Sequence, residues 1–331
     1  MRIVRRIRDL KINYQDAVPF IAFFVIFLFF IIGSYDERTS NIRMLTAFNL
    51  NLIIDMSMIT ILVGCGALFV IAQGSIDLSV GVNLALSGVV ALWATLATGI
   101  PILLFPISIV IGLAVGLFNG LIVSRYKVPS FLLTIAMLIG IRGLVNYIQT
   151  SLHAQRLPDA LIFINTPYIK VTAFIIIVLI MAYVFEFTNL GRYSRAIGEN
   201  ETAARFVGIP VSRMKLLAFA MSGLMSGVGA IFSLATLGGT SQQMGVFLEI
   251  RVLMAIFLGG VLVTGGSSAK FYKLILGSLS ITIIINGLAI MGLSDSHISQ
   301  SVQGILLLLI LILTIIASKR SERIKKDTED L

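Results

Sequence analysis

Apolar residues fill runs of about twenty along most of the chain, each long enough to cross roughly 30 Å of hydrocarbon. Polar residues collect in short breaks between the runs. The pattern predicts spans near Ala17–Gly33, Met44–Ala72, Leu78–Thr98, Pro101–Ser124, Pro129–Gln149, Val171–Thr188, Leu216–Leu237, Phe247–Thr264, Leu274–Leu293 and Val302–Ala317. The expectation is an all-α, polytopic transmembrane bundle of about ten helices, forming one membrane domain over residues 1–331. The alternating ten-residue strands of a membrane barrel are not in the pattern. One stretch interrupts it: Gly191–Lys215, GRYSRAIGENETAARFVGIPVSRMK, is a hydrophilic island between long apolar segments.

Composition agrees. The chain is 57% hydrophobic and 12% charged, with a mean hydropathy of +1.00, whereas average domains carry about 25% charged residues. The net charge of +9 would suit a nucleic-acid binder, but its distribution argues otherwise. Basic residues cluster in Arg2–Lys11, Arg125–Lys127, Arg192–Lys215, Lys270 to Lys273 and Lys319–Lys326, which together hold 19 of the 25 Lys and Arg. All five clusters fall on one side of the predicted topology, so the positive-inside rule puts both termini, with tails 1–14 and 318–331, in the cytoplasm. A basic start followed by an apolar run also fits a signal peptide. Only a weak Gly33-Ser34 site follows, so the first span is read as uncleaved. Cys65 is the sole cysteine, and His153 and His297 are isolated in predicted outer loops, so neither a disulfide nor a metal site is expected.

The ionisable and polar residues inside the spans are the candidates for function. Asp77, in Gly74–Gly81 (GSIDLSVG), sits between two spans and either caps the following helix or contacts solute. Asp55 lies well inside the second span, where its short side chain cannot reach a surface, which makes it a pathway candidate. Glu249, Arg251 and Arg142 fall towards the outer ends of their spans, where snorkelling competes with function. Asn119-Gly120-Leu121 and Asn286-Gly287-Leu288 recur five spans apart, the spacing of an inverted repeat with its pathway between the halves. Gly112, Gly116 and Gly120, like Gly223 and Gly227, recur every fourth residue, as close helix contact requires. No G-x-x-x-x-G-K-[ST] phosphate loop and no catalytic constellation appears, so the chain reads as neither an ATPase nor an enzyme. Within the island, Asn200 should cap a short helix to about Val207, with Glu201 and Arg205 paired at i,i+4 and Gly208 and Pro210 ending it. Its apolar face, Ala203, Phe206 and Val207, must pack on the protein's own helices or on a partner.

These motifs together resemble the permeases of ribose-type ABC importers over nearly all the chain. The resemblance rests on Gly74–Gly81, on Val128-Pro129-Ser130-Phe131 through Arg142-Gly143, and on the island residues Gly191, Arg192, Ala196, Ile197, Gly198, Asn200, Ala203, Ala204, Gly208 and Ile209. Ser222-Gly223-Leu224, Glu249, Gly259-Gly260, Gly265-Gly266 and Asn286-Gly287-Leu288 follow in family order. It implies a second permease copy (homodimer or paralogous heterodimer), cytoplasmic ABC ATPase subunits carrying the ATP and Mg, and an extracytoplasmic solute-binding protein, in a bacterial inner membrane. No cofactor is expected on this chain. The resemblance also makes Asn200, Glu201, Ala203, Ala204, Arg205, Phe206, Val207 and Gly208 the ATPase-coupling helix. Two departures stand out: Glu249-Ile250-Arg251 replaces the family's usual Glu-Leu-Asp, putting a cation near the outer mouth, and Ser267–Lys273 replaces a loop of small residues.

The function expected is import of a monosaccharide or related small polar solute, with Asp55, Asp77, Asn83, Asn119 and Asn286 lining the pathway. Neutral amides suit a neutral solute, because sugars need donors and acceptors and no net charge. A permease for branched-chain amino acids or nucleosides is the nearest alternative. A proton-coupled secondary transporter using Asp55 or Asp77 is the alternative from another class.

Overall fold

The computed structural model describes residues 14–36, 41–293, 300–310, 312 and 315. Apart from Tyr14, both tails lie outside the described residues, as do Arg38 and His297. Twelve helices organise the described chain: α1 (Tyr14–Gly33), α2 (Ala47–Ala72), α3 (Val80–Thr98), α4 (Leu104–Tyr126), α5 (Ser130–Leu152), α6 (Pro167–Phe187), α7 (Asn189–Glu199), α8 (Glu201–Phe206), α9 (Val211–Leu237), α10 (Leu248–Leu258), α11 (Phe271–Ile290) and α12 (Gln300–Ile310). A two-residue hairpin, Tyr35–Asp36 against Asn41–Ile42, joins α1 to α2, and Arg43 closes it on Asp36 at 2.6 Å.

Seven of these helices are long and apolar enough to cross a membrane, and α1 and α12 contribute shorter apolar stretches. The bundle is an all-α, multi-pass membrane protein. Helix ends follow local chemistry. α3 stops at Gly99 and α9 at Gly238, both in the left-handed conformation that glycine adopts without a Cβ clash.

The eighth predicted span is different. Phe247–Thr264 is helical only over the 11 residues of α10, about 16 Å at 1.5 Å per residue, or half a bilayer. Gly260, Gly265 and Gly266 all take positive φ and turn the chain before it can continue. Residues 239–247, ahead of α10, are also non-helical: Met244 lies against Gly88 and Gly245 against Gly81. A second break, residues 73–79, separates α2 from α3. The chain therefore holds two interrupted stretches.

α2 and α9 cross at the centre with opposite directions: Gln73 at the end of α2 reaches Met214 at the start of α9, and Gly66 lies on Ser222. α4 packs on α9 while α11 packs on α2. α3 packs on α4 and α9 while α10 packs on α11 and α2. Exchanging α2, α3 and α4 for α9, α10 and α11 thus maps each contact onto another, with Asn119 on α4 and Asn286 on α11. The helices α2, α3 and α9 are mostly buried, whereas α4, α5 and α6 keep most of their apolar surface outward, as lipid-facing helices do.

Glycines bring α4 and α9 into backbone contact. A Cβ on Gly112 would stand 2.5 Å from the Gly223 carbonyl oxygen and 2.7 Å from the Gly227 nitrogen. Gly112→Val is therefore expected to destabilise the purified protein by about 1–3 kcal/mol, read as a lower unfolding temperature in detergent. Gly140→Ala, where a Cβ meets nothing within 4 Å, should leave that temperature unchanged.

Candidate functional site

The hydrophilic island folds into two short helices, and the second is capped by Asn200. Its side-chain oxygen accepts from the Ala203 N–H at 2.9 Å, satisfying one of the free donors at the helix start. Glu201 then anchors the first turn. Oε1 accepts from Arg205 at 2.6 Å and Oε2 from Lys215 of α9 at 2.7 Å. The Lys215 hydrogen bond, joined by Arg205 and opposed by partial burial, holds the Glu201 carboxyl below its ordinary range.

The face of α8 is split. Ala204 is 3% exposed and packs with Ile197 and Val211, so it points into the protein. Ala203 is exposed, Phe206 is 87% exposed and Val207 77%. The apolar face predicted from spacing does not pack on this chain's own helices.

The island is tied firmly to the bundle behind it. Gln73 Nε2 donates to Ser194 Oγ of α7 at 2.9 Å and to the Met214 carbonyl of α9 at 3.0 Å. Glu199 Oε1 accepts from the Ser267 N–H at 2.7 Å and from its hydroxyl. Glu186 accepts from the Phe271 N–H at 2.7 Å through Oε1 and from Arg195 at 2.9 Å through Oε2. Glycine lets the backbones meet: Gly198 lies on the Ala72 carbonyl and the Gly266 nitrogen. These contacts join α7 to the end of α2 and, through Glu199 and the Arg195–Glu186 pair, to the loop before α11 and its first residue. A cavity of about 410 Å³ opens beside α8, lined among others by Gly74, Lys127, Ser130, Glu201, Arg205 and Lys215.

The polar residues inside the bundle are brought together, but chiefly with one another. Asp77 Oδ1 accepts from the Ser79 N–H at 2.9 Å and hydroxyl at 2.6 Å, and Oδ2 accepts from Ser222 at 2.7 Å. Asn119 donates to Ser79 Oγ at 2.9 Å, and Asn83 to the Gly112 carbonyl at 3.1 Å. Asp77 thus braces the turn before α3 and bonds no N–H within the helix, whose N-cap, Ser79, makes no side-chain capping bond. The Oδ1 atoms of Asn119 and Asn286 are buried without a partner. Asp55 lies in the third turn of α2 and pairs with Lys170 of α6 at 2.7 Å. Glu249 and Arg251, placed at the outer mouth by the sequence pattern, lie deep in the bundle. Glu249 sits beside Gly81, 17 residues and about 25 Å along α3 from Thr98. The chain reaches this place through the turns of residues 241–247, where Gly245 and Phe247 take positive φ. Sequence reasoning did not identify Lys170, Gln73, Glu186 or Glu199: each has a partner 85 or more residues away or, for Glu199, 68, although Glu186 also holds Arg195 nine residues on and Lys170 donates to Asn165 five residues back. Their only local signal is a polar side chain at the end of an apolar run.

Two predictions follow from this geometry. Ser222→Ala strips Asp77 of its Oδ2 donor and should lower stability by about 1–3 kcal/mol in thermal unfolding. For Glu201 the folded pKa is depressed, so its contribution is complete above the unfolded value near pH 4.3 and is lost as pH falls through the folded one. Amide exchange over residues 203–207, corrected for intrinsic rate, should be flat from neutral pH to about pH 5 and quicken below about pH 4, with Glu201→Gln fast throughout.

Comparison with known proteins matches residues 49–315 to the family described as "Branched-chain amino acid transport system / permease component". The ribose import permease protein of Escherichia coli K12 is 29% identical over 274 residues, covering 80% of this chain and 84% of its own. The autoinducer 2 import system permease protein of Photorhabdus laumondii is 28% identical over 308 residues, covering 91% and 89%. The fructose import permease protein of Rhizobium meliloti is 28% identical over 287 residues, covering 81% and 78%. No solved structure matches. The spans, the paired breaks and these matches together identify the chain as a member of the branched-chain amino acid transport system permease-component family.

Proposed function

We propose that this chain is the translocation subunit of an ATP-driven importer for a monosaccharide or related small polyol, and that α8 is where a cytoplasmic ATPase grips it. The observation that carries the reading is the exposed Phe206–Val207 surface on a capped, charge-anchored helix. A short helix offering bulky apolar anchors suits docking in a partner's groove. The bonds from Gln73, Glu186 and Glu199 give a push on that helix a path to α2 and α11. ATP and Mg belong to the partner, which this chain supplements with no phosphate loop of its own. The names of the ribose, fructose and autoinducer 2 relatives favour a sugar-like solute over branched-chain amino acids or nucleosides.

The full assembly in this reading has a second permease copy and an extracytoplasmic binding protein, with both termini of this chain in the cytoplasm as the basic clusters require. Phe206→Glu with Val207→Glu, co-expressed with its ATPase, should abolish co-purification of that ATPase and reduce solute uptake at least tenfold. Membrane levels and unfolding temperature should stay at wild type, because neither side chain is packed. Unchanged uptake in that variant would rule out α8 as the coupling contact. Ala204 is unsuited to the test, since burial makes any charge there a folding defect.

A further inference from the structure

Three ionisable side chains meet deep in the bundle, where charge is costly and marks solute or ion paths. Glu249 is the second residue of the half-helix α10. It is 7% exposed, and its Oε2 has no hydrogen-bond partner. Arg142, from the middle of α5, and Arg251, two residues along α10, are the charges that bear on it. Neither closes on Glu249 as an ion pair. Arg142 Nη1 donates to the Met244 carbonyl at 3.0 Å and Arg251 Nη2 to the Val246 carbonyl at 3.2 Å. A guanidinium has five N–H donors, so most of their capacity is unspent. Both arginines are half-buried, and the carboxylate is buried more fully.

A second observation gives this cluster an approach. Above Arg142, the outward face of α5 carries Gly143, Asn146 and Thr150, all exposed, where lipid would leave the Asn146 amide unsatisfied. A Cβ at Gly140 or Gly143 would meet nothing within 4 Å. Ile139, Leu144 and Tyr147 of α5 are exposed beside this stripe, whereas the exposed mid-helix face of α6 is apolar throughout, with Ile175, Ile176, Leu179 and Ile180. A polar stripe on the helix that carries Arg142, above a buried acceptor left without a partner, is what the lining of a watery route requires.

We infer that Arg142, Glu249 and Arg251 form a hydroxyl-binding station for a neutral polyol halfway through the membrane, reached along the Thr150–Asn146–Gly143 face of α5. The inference rests on the importer reading. A hydroxyl both donates and accepts: its hydrogen satisfies Glu249 Oε2 while its oxygen takes an N–H from either guanidinium. Vicinal hydroxyls engage both arginines at once. A carboxylate or phosphate solute would have to lie beside a desolvated Glu249. Asp77, Asn83 and Asn119, already bonded within the bundle, shape the frame around this station.

The test has two arms. In a Cys65→Ala background, Asn146→Cys and Ile175→Cys are labelled in intact cells with a membrane-impermeant, positively charged methanethiosulfonate. Labelling at 146 at least tenfold faster than at 175 supports the route, and equal rates overturn it whether or not the chain is an importer. In the assembled system, uptake of labelled ribose and fructose is measured for Glu249→Gln, Glu249→Asp and Arg251→Lys. The expectation is a KM raised at least tenfold in Glu249→Gln, a partial return in Glu249→Asp, and unchanged ATPase co-purification in all three. Unchanged KM in Glu249→Gln, or sugar acids competing better than neutral sugars, overturns the station. Absence of any ATPase on the wild-type chain would count against the importer reading alone, leaving the labelling arm to decide the route.

Discussion

A backbone that leaves helical geometry inside a bilayer must have its N–H and C=O groups satisfied by protein, because lipid offers nothing in return. That requirement governs this molecule at its two breaks, and the two are met by different chemistry. At residues 73–79 the partners are hydroxyls and one carboxylate: Ser130 Oγ accepts from the Ile76 N–H at 3.1 Å, Thr134 reaches the Ile76 carbonyl at 3.4 Å, and Asp77 takes the Ser79 N–H. Around α10 the free groups are mainly carbonyls, and the donors are an amide and three cations. Gln149 donates to Ser241, Arg142 to Met244, Arg251 to Val246 and Lys273 to Gly260. A positively charged donor both satisfies a carbonyl and offsets its dipole. The intramembrane charge of this chain is therefore concentrated where the main chain is most irregular.

The same economy links the breaks to the hydrophilic island. Gln73, which ends α2 and opens the first break, is the residue that holds α7 and the start of α9. Ser267, held by Glu199, lies in the loop between α10 and α11. The island thus touches both halves of the exchanged packing at the points where their helices are interrupted.

Much of this was legible in the chain itself, for identifiable reasons. Hydropathy finds spans because lipid imposes one requirement on every residue of a crossing segment. Asn200, Gly208 and Pro210 announce α8 because capping is local. The eighth span misled because its composition is mostly apolar, while its path depends on the positive φ of Gly260, Gly265 and Gly266. A depth error followed: residues 241–248 run through successive turns, with the Met244 N–H on the Ser241 carbonyl and the Val246 N–H on that of Gln243, so the place of Glu249 beside Gly81 cannot be counted off in helical residues from α9. Periodicity placed Ala203, Phe206 and Val207 on one face of α8, but it could not say that Ala204 would find Ile197 and Val211. Asp55 looked solitary for the same reason: Lys170 is 115 positions away, and only folding brings the pair to 2.7 Å.

The shortness of α10 also bears on how the protein is made. Eleven residues bounded by glycines are too few to partition stably into the bilayer alone, which takes about twenty. The segment therefore enters as part of a hairpin with α9 or α11, once α5 is in place to bond the Ser241 and Met244 carbonyls ahead of it. On that account α10 arrives late, a piece too short to insert alone seated in a cleft built by earlier helices. A nascent chain halted before α11 would leave that cleft, and the arginine waiting in it, open to the membrane.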